Sequence, residues 1–193
     1  MPSKDMNFHT ETGRLSLDWM ATLGDRAGSP VERISGTADL ERWLATVAGQ
    51  AVACGPSDDE LRAAKSLRAA LIGVMDRLYS GEVPTAQDIK VLNEFAALPP
   101  PAVQLGVSGR TLEANTDLSA QTVLGVIARD AIDLFTCSDF AKVRLCAAEG
   151  CSVYFVDHSR PGKRRWCSMS RCGNKAKKRA FTKRNSQRAQ SLD

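Results

Sequence analysis

Histidine is nearly missing from this 193-residue chain, with two in all, and tyrosine is equally scarce. His9 and His158 lie far apart in sequence, which excludes a metalloprotease-type histidine pair on one helix turn. Glycine-rich phosphate loops and strained serine elbows are absent as well, so an enzyme is the poorer reading. No apolar run approaches the roughly 18 residues needed to span a bilayer, and no membrane partner is expected. The opening "MPSKDMNFHTETGRLSLDW" lacks a basic start followed by an apolar core. That pattern predicts no secretory signal and a cytoplasmic address, where thiols stay reduced. Carboxylates are also rare near one end: residues 142–193 hold three Asp/Glu against 14 Lys/Arg.

The composition is otherwise that of a folded protein, 43% apolar and 25% charged. Its net charge of +4 hides a split, because residues 1–141 carry 19 Asp/Glu against 12 Lys/Arg. An acidic body followed by a basic element points to a polyanionic partner for the latter. The expected fold is mainly α (α+β). A helical domain over 10–140 contains a small β-hairpin, and a small C-terminal four-cysteine finger, a hairpin plus a helix, covers 141–188.

In the body, Leu40, Trp43, Leu44, Val47 and Ala48 have helical spacing after a Thr37 cap. Ser57 and Glu60 form a capping-box pattern ahead of Leu61, Ala64, Leu67, Leu71, Met75 and Leu78, and Gly81 ends that helix. Another helix begins at Thr85 and stops at Pro99-Pro100-Pro101. Val103, Leu105 and Val107 then alternate, Ser108-Gly109 turns, and Thr111 to Ala114 return as a hairpin. A long helix follows, with Leu118, Val123, Val126, Ile127, Ala131, Leu134 and Phe135 on its apolar face. Cys54 and Cys137 lie in apolar surroundings and read as small buried hydrophobes.

The other four cysteines fall in "CAAEGCSVYFVDHSRPGKRRWCSMSRC", as Cys146-x4-Cys151 and Cys167-x4-Cys172. Two pairs at this separation fit a structural zinc site, each pair a tight knuckle presenting two sulfurs. Between them "SVYFVD" reads as a strand, "HSRPGK" as a turn, and "RRW" as a segment able to pair back. Buried free thiols are the alternative, but the segment has too few apolar residues to bury them. A unit this small needs a staple, and in a reducing compartment metal suits better than disulfide. One closed, structural Zn2+ per chain is expected.

Four thiolates on Zn2+ carry a formal −2, which accounts for some nearby cations but not for a surplus near 11. The expected nucleic-acid contacts are Arg164, Arg165, Arg171, Asn174, Lys175, Lys178, Arg179 and Lys183. Asn174 is expected to cap a basic helix whose Ala176, Ala180 and Phe181 pack on the finger. Phosphate contacts position a protein without specifying sequence, so Arg165, Arg171 and Asn174 are the candidates for base reading.

"RLCAAEGC" with "WCSMSRCGNKAKKR" resembles the CGNR-type zinc finger, a C-terminal module of bacterial transcription regulators. In such proteins the finger follows a helical ABATE domain, described as stress-induced regulator-like, and "RLSLDWMATLGDR" resembles that domain's opening. The resemblance implies that Cys146, Cys151, Cys167 and Cys172 hold zinc, with Gly173-Asn174-Lys175 in the eponymous motif. Two positions depart: Lys175 stands for the usual Arg, losing the planar two-pronged donor, and Ala21 stands where the resemblance leads us to expect Asn.

Function is thus expected to be transcription regulation through duplex DNA, with the body sensing a signal or forming a homodimer. No residue cluster indicates a small-molecule effector. The other readings are an RNA- or ribosome-associated zinc module, a protein-interaction adaptor, and a thiol redox switch.

Overall fold

A computed structural model describes residues 7–48, 55–114 and 119–190, and the side chains of these except at 48, 112–114, 180, 183, 184 and 186–190. Cys54 and Leu118 lie outside the described residues. The architecture is mainly helical, with three two-stranded antiparallel hairpins among the described residues.

The first helix, α1 (Leu15–Met20), leads into a short hairpin of β1 (Leu23–Gly24) and β2 (Val31–Glu32), in which Leu23 faces Glu32. That hairpin has no counterpart in the sequence reading, because two-residue strands show no alternation. Helix α2 (Thr37–Ala48) follows. Thr37 is its first residue rather than its cap: the Gly36 carbonyl accepts from Leu40, and the Asp39 carboxylate accepts from the Ser35 N–H at 2.9 Å. A carboxylate one turn in does the capping that a hydroxyl was expected to do.

Helix α3 (Asp58–Tyr79) starts with the capping box, Glu60 N–H to Ser57 Oγ and Ser57 N–H to Glu60 Oε2. Ala64, Leu67, Leu71 and Met75 are fully buried. Beyond its last turn the Glu82 N–H reaches back to the Arg77 carbonyl, closing the helix around Gly81. Helix α4 (Ala86–Ala96) is capped by Thr85, which accepts from Asp88 N–H. The hairpin of β3 (Val103–Leu105) and β4 (Leu112–Ala114) forms as the alternation predicts. Its apolar side, however, meets solvent: Val103, Leu105 and Val107 are all well exposed.

Helix α5 (Ala120–Thr136), capped by Ser119, runs through the middle of the bundle. Leu124, Ile127, Ala128, Ala131 and Leu134 are wholly buried there. Asp130 on α5 caps α1 in turn, accepting from Ser16 N–H and Oγ at 2.8 and 2.6 Å while pairing with Arg14. The core centres on Trp19 and Trp43, both fully buried, in edge-to-face contact with centroids 4.7 Å apart. Truncating either to Ala costs about 3–5 kcal/mol on the usual scale for buried aromatics. Cys137 follows α5 and is half-buried, its thiol directed at the Leu134 carbonyl.

After a tight helical turn at Ser138–Lys142 come β5 (Val143–Leu145) and β6 (Tyr154–Val156), then a wide turn at Met169–Gly173 that runs unbroken into α6 (Asn174–Gln190). Strand β6 therefore pairs with the chain before Cys146, Val143 opposite Val156 and Leu145 opposite Tyr154, and not with Arg164–Trp166. The returning segment is instead folded by side chains. Asp157 accepts from the Ser159 and Arg164 N–H groups at 2.9 and 2.8 Å, and the Arg164 side chain donates to the Trp166 and Cys167 carbonyls.

Candidate metal centre

Strand β6 is buried along its whole length and works on two sides at once. Tyr154 and Val156 join the helical core, while Phe155 between them packs with Cys146, Cys167, Cys172 and Val153. That is the period of two expected of a strand. Ala21, at the end of α1, reaches the same cluster and is almost fully buried. The departure at this position thus lies where the body touches the cysteines, and a small apolar side chain suits that contact.

The four sulfurs of Cys146, Cys151, Cys167 and Cys172 all lie within 4.8 Å of one another. Cys167 Sγ stands 3.8 Å from Cys151 Sγ and 3.6 Å from Cys172 Sγ. A tetrahedron with zinc–sulfur bonds of about 2.3 Å has edges of about 3.8 Å, so these separations match a four-thiolate zinc cage. Three of the four cysteines are buried and Cys151 is half-buried, with no histidine or carboxylate in the cluster. His158 is exposed beside Asp139 and takes no part.

Each knuckle has its own local cause. In the first, the Cys151 N–H bonds to the Ala148 carbonyl at 3.0 Å, and Gly150 has φ +75°, a left-handed conformation that glycine adopts without strain. In the second, the N–H groups of Cys172 and Gly173 both bond to the Ser168 carbonyl, at 3.1 and 3.0 Å, which widens the turn and points Cys172 inward. A side chain on Gly173 would come within 2.6 Å of Met169 Sδ, so the glycine allows a close approach. The knuckles are tied together by Ala147 N–H to the Arg165 carbonyl and by Cys167 N–H to Cys146 Sγ at 3.4 Å.

Sulfurs this close compete for protons. Hydrogen bonds from Cys151, and then from Cys167 and Cys172, draw the Cys146 thiol well below its ordinary range. The hydrogen bond to Cys146 pushes Cys151 and Cys167 well above it. A divalent cation resolves the conflict by holding all four as thiolates, and the donor set selects zinc. The four cysteines are thus positioned to bind one zinc ion.

The expected nucleic-acid contacts are dispersed around this centre. Arg164 is folded inward, its guanidinium 4.7 Å from the Phe155 ring centroid. Arg171 donates to the Asn7 and Phe8 carbonyls at 3.1 and 2.9 Å, strapping the second knuckle to the N-terminal segment. Arg179 pairs with Glu149 of the first knuckle, and Arg165 lies over Trp166. Asn174 has helical backbone angles and makes no cap, because the wide turn enters α6 without a break. Lys175 and Lys178 are exposed, and Lys183 lies on α6 with its side chain outside the described ones. Phe181 is 59% exposed and does not pack on the finger. The exposed aromatic is the feature that sequence reasoning missed; as an apolar residue near two alanines it looked like a packing residue.

The finger is seated on the helical body by side-chain contacts. Tyr154 donates to Asp76 on α3 at 2.9 Å, and Arg26 bridges Asp76 and the Ser152 carbonyl. Burial first, and then the contact with Asp76, raise the Tyr154 hydroxyl pKa above its ordinary value. Val156 N–H bonds to the Thr12 carbonyl at 2.8 Å.

Fold and site together define a helical protein carrying a closed four-cysteine zinc finger. The chain belongs to the ABATE family, whose model matches residues 13–137 under the description "Putative stress-induced transcription regulator". The CGNR zinc finger model matches residues 142–185. Among curated proteins no relative matches. No described helix is long and apolar enough to cross a membrane.

Proposed function

We propose that the protein is a cytoplasmic, non-enzymatic transcription regulator that binds duplex DNA through its zinc finger and α6. The observation that carries this reading is the placement of the basic surplus. Helix α6 continues directly from the Met169–Gly173 turn that carries Cys172, and its Lys175, Lys177 and Lys178 are exposed, so the zinc centre anchors a cationic helix at the surface. The ion pair that Arg179 of α6 makes is with Glu149 of the first knuckle, within the finger itself. Lys175 and Lys178 contact phosphates in this reading, with Asn174 and Arg165 beside them. Arg164, Arg171 and Arg179 act chiefly by fixing the finger.

The helical body senses a signal or dimerises, and its seating on the finger gives either event a route to α6. Two domains, 10–140 and 141–188, divide these roles. A cleft of about 480 Å³ between β1–β2 and the finger, lined by Asp25, Arg33, Cys151 and Lys175, lies at their junction.

Titration of the zinc-loaded chain with duplex DNA at several salt concentrations tests the reading. Affinity should fall steeply with salt, with a log–log slope of about −0.9 per neutralised phosphate. Binding indifferent to salt, or a preference for structured RNA or single strands, contradicts it.

A further inference from the structure

Helix α6 presents two unlike sides. Lys175, Ala176 and Arg179 line the cleft against the first knuckle. Lys177, Phe181 and Asn185 are exposed and, at four-residue spacing, share the side away from that cleft, with exposed Lys178 beside Phe181. Phe181 sits in the middle of this arc, one turn from Lys177 and one from Asn185. Phe181 is 59% exposed, an aromatic set among cations and not part of the core. Asn185 is exposed one turn beyond Phe181, with its amide at the helix surface.

From this arrangement we infer that Phe181 and Asn185 are the sequence-reading pair of α6, and that they select an A·T-containing step in the major groove. The inference rests on the DNA reading above and adds to it which residues specify. An asparagine amide matches the N6 donor and N7 acceptor of adenine, and an apolar side chain meets the C5-methyl of thymine. The two residues are about 6 Å apart along the helix axis. Base pairs rise about 3.4 Å, so the pair addresses one step and its neighbour. Lys177 and Lys178 flank them and hold phosphates, which orients the helix without contributing sequence information. The helix is about 25 Å long, and a B-form major groove admits it where the deep, narrow groove of A-form RNA does not. Charge complementarity favours nucleic acid over a protein docked on Phe181, because lysines border the aromatic on both sides.

Selection of duplexes from a randomised library, using the full zinc-loaded chain, tests this directly. Wild type should recover a motif containing an A·T pair. Asn185→Ala should lose the preference for adenine at that pair, and 7-deazaadenine there should weaken wild type about 5- to 100-fold with little effect on the variant. Uracil in place of the contacted thymine should weaken wild type but not Phe181→Ala. Lys178→Ala should instead weaken all duplexes alike and lower the salt slope by about one phosphate. A recovered motif unchanged in Asn185→Ala and Phe181→Ala overturns the inference, as does salt-dependent binding with no motif; both leave the DNA reading standing. Loss of self-association in Phe181→Ala with an unchanged motif also overturns it and assigns Phe181 to a protein contact. Failure of wild type to bind any duplex instead removes the DNA reading itself.

Discussion

Asp18 stands where the N-terminal segment turns into α1, and its carboxylate accepts from both the N–H and the hydroxyl of Thr12, at 3.1 and 2.7 Å. Burial outweighs those hydrogen bonds and pushes its pKa up to about 6, from 3.8. Between these values the folded chain keeps a proton that the unfolded chain has lost. Stability therefore declines as pH rises from about 4 to 6, and then levels off. Asp18→Asn should remove that slope and be more stable than wild type at pH 7, by about 1–3 kcal/mol, with the gap closing near pH 4. Urea unfolding of both proteins across this range checks it; the zinc site is common to both, so its own acid lability cancels. A second residue-scale expectation concerns Arg68, which is almost fully buried, lies over Trp19 and pairs with Glu32. Arg68→Ala should cost about 3 kcal/mol in the same assay, since Glu32 is left without its partner. Neither residue was legible in the sequence. Asp18 and Arg68 look like surface charges on helical patterns, and only the packing of α1, β2 and α3 encloses them.

At the scale of elements, legibility followed the strength of the local signal. The Ser57–Glu60 box and the Thr85 cap are decided by short-range hydrogen bonds, and α3 and α4 formed where expected. The β3–β4 hairpin was legible from its alternation, but alternation does not reveal which side faces the core, and this one faces solvent. The four-cysteine cage was legible because metal geometry limits the spacing of its ligands. The pairing of β6 was not. Val143-Arg144-Leu145 is too short to announce a strand, and Asp157 supplies the hydrogen bonds that a returning Arg164–Trp166 strand would have made. Asp157→Ala should therefore loosen the loop between the knuckles and speed zinc loss to a chelator several-fold, while the helical signal of the body persists. Unchanged zinc loss would show that the sulfurs hold the loop without it.

For the whole molecule, the finger is seated on the body as well as joined to it. The Arg26–Asp76–Tyr154 network and the shared burial of Val143, Tyr154 and Val156 couple the zinc centre to α3. Tyr154→Phe keeps the ring and removes one hydrogen bond to a half-exposed carboxylate, so it should cost about 1–2 kcal/mol and leave zinc content intact. Equal stability of variant and wild type in urea would mean that the seating does not depend on this bond. The acidic and basic parts of the chain looked like separate objects in sequence because charge was the only visible contrast. The apolar faces of a three-residue strand and the small side chain of Ala21 are what join them. The central claim, that one closed four-thiolate zinc centre anchors the basic helix, is tested most directly by measuring metal content and duplex binding in wild type and Cys167→Ser. The prediction is one zinc per chain with salt-dependent binding in wild type, and loss of both in the variant. Metal-free wild-type protein that still binds duplex, or undiminished binding by Cys167→Ser, would contradict it.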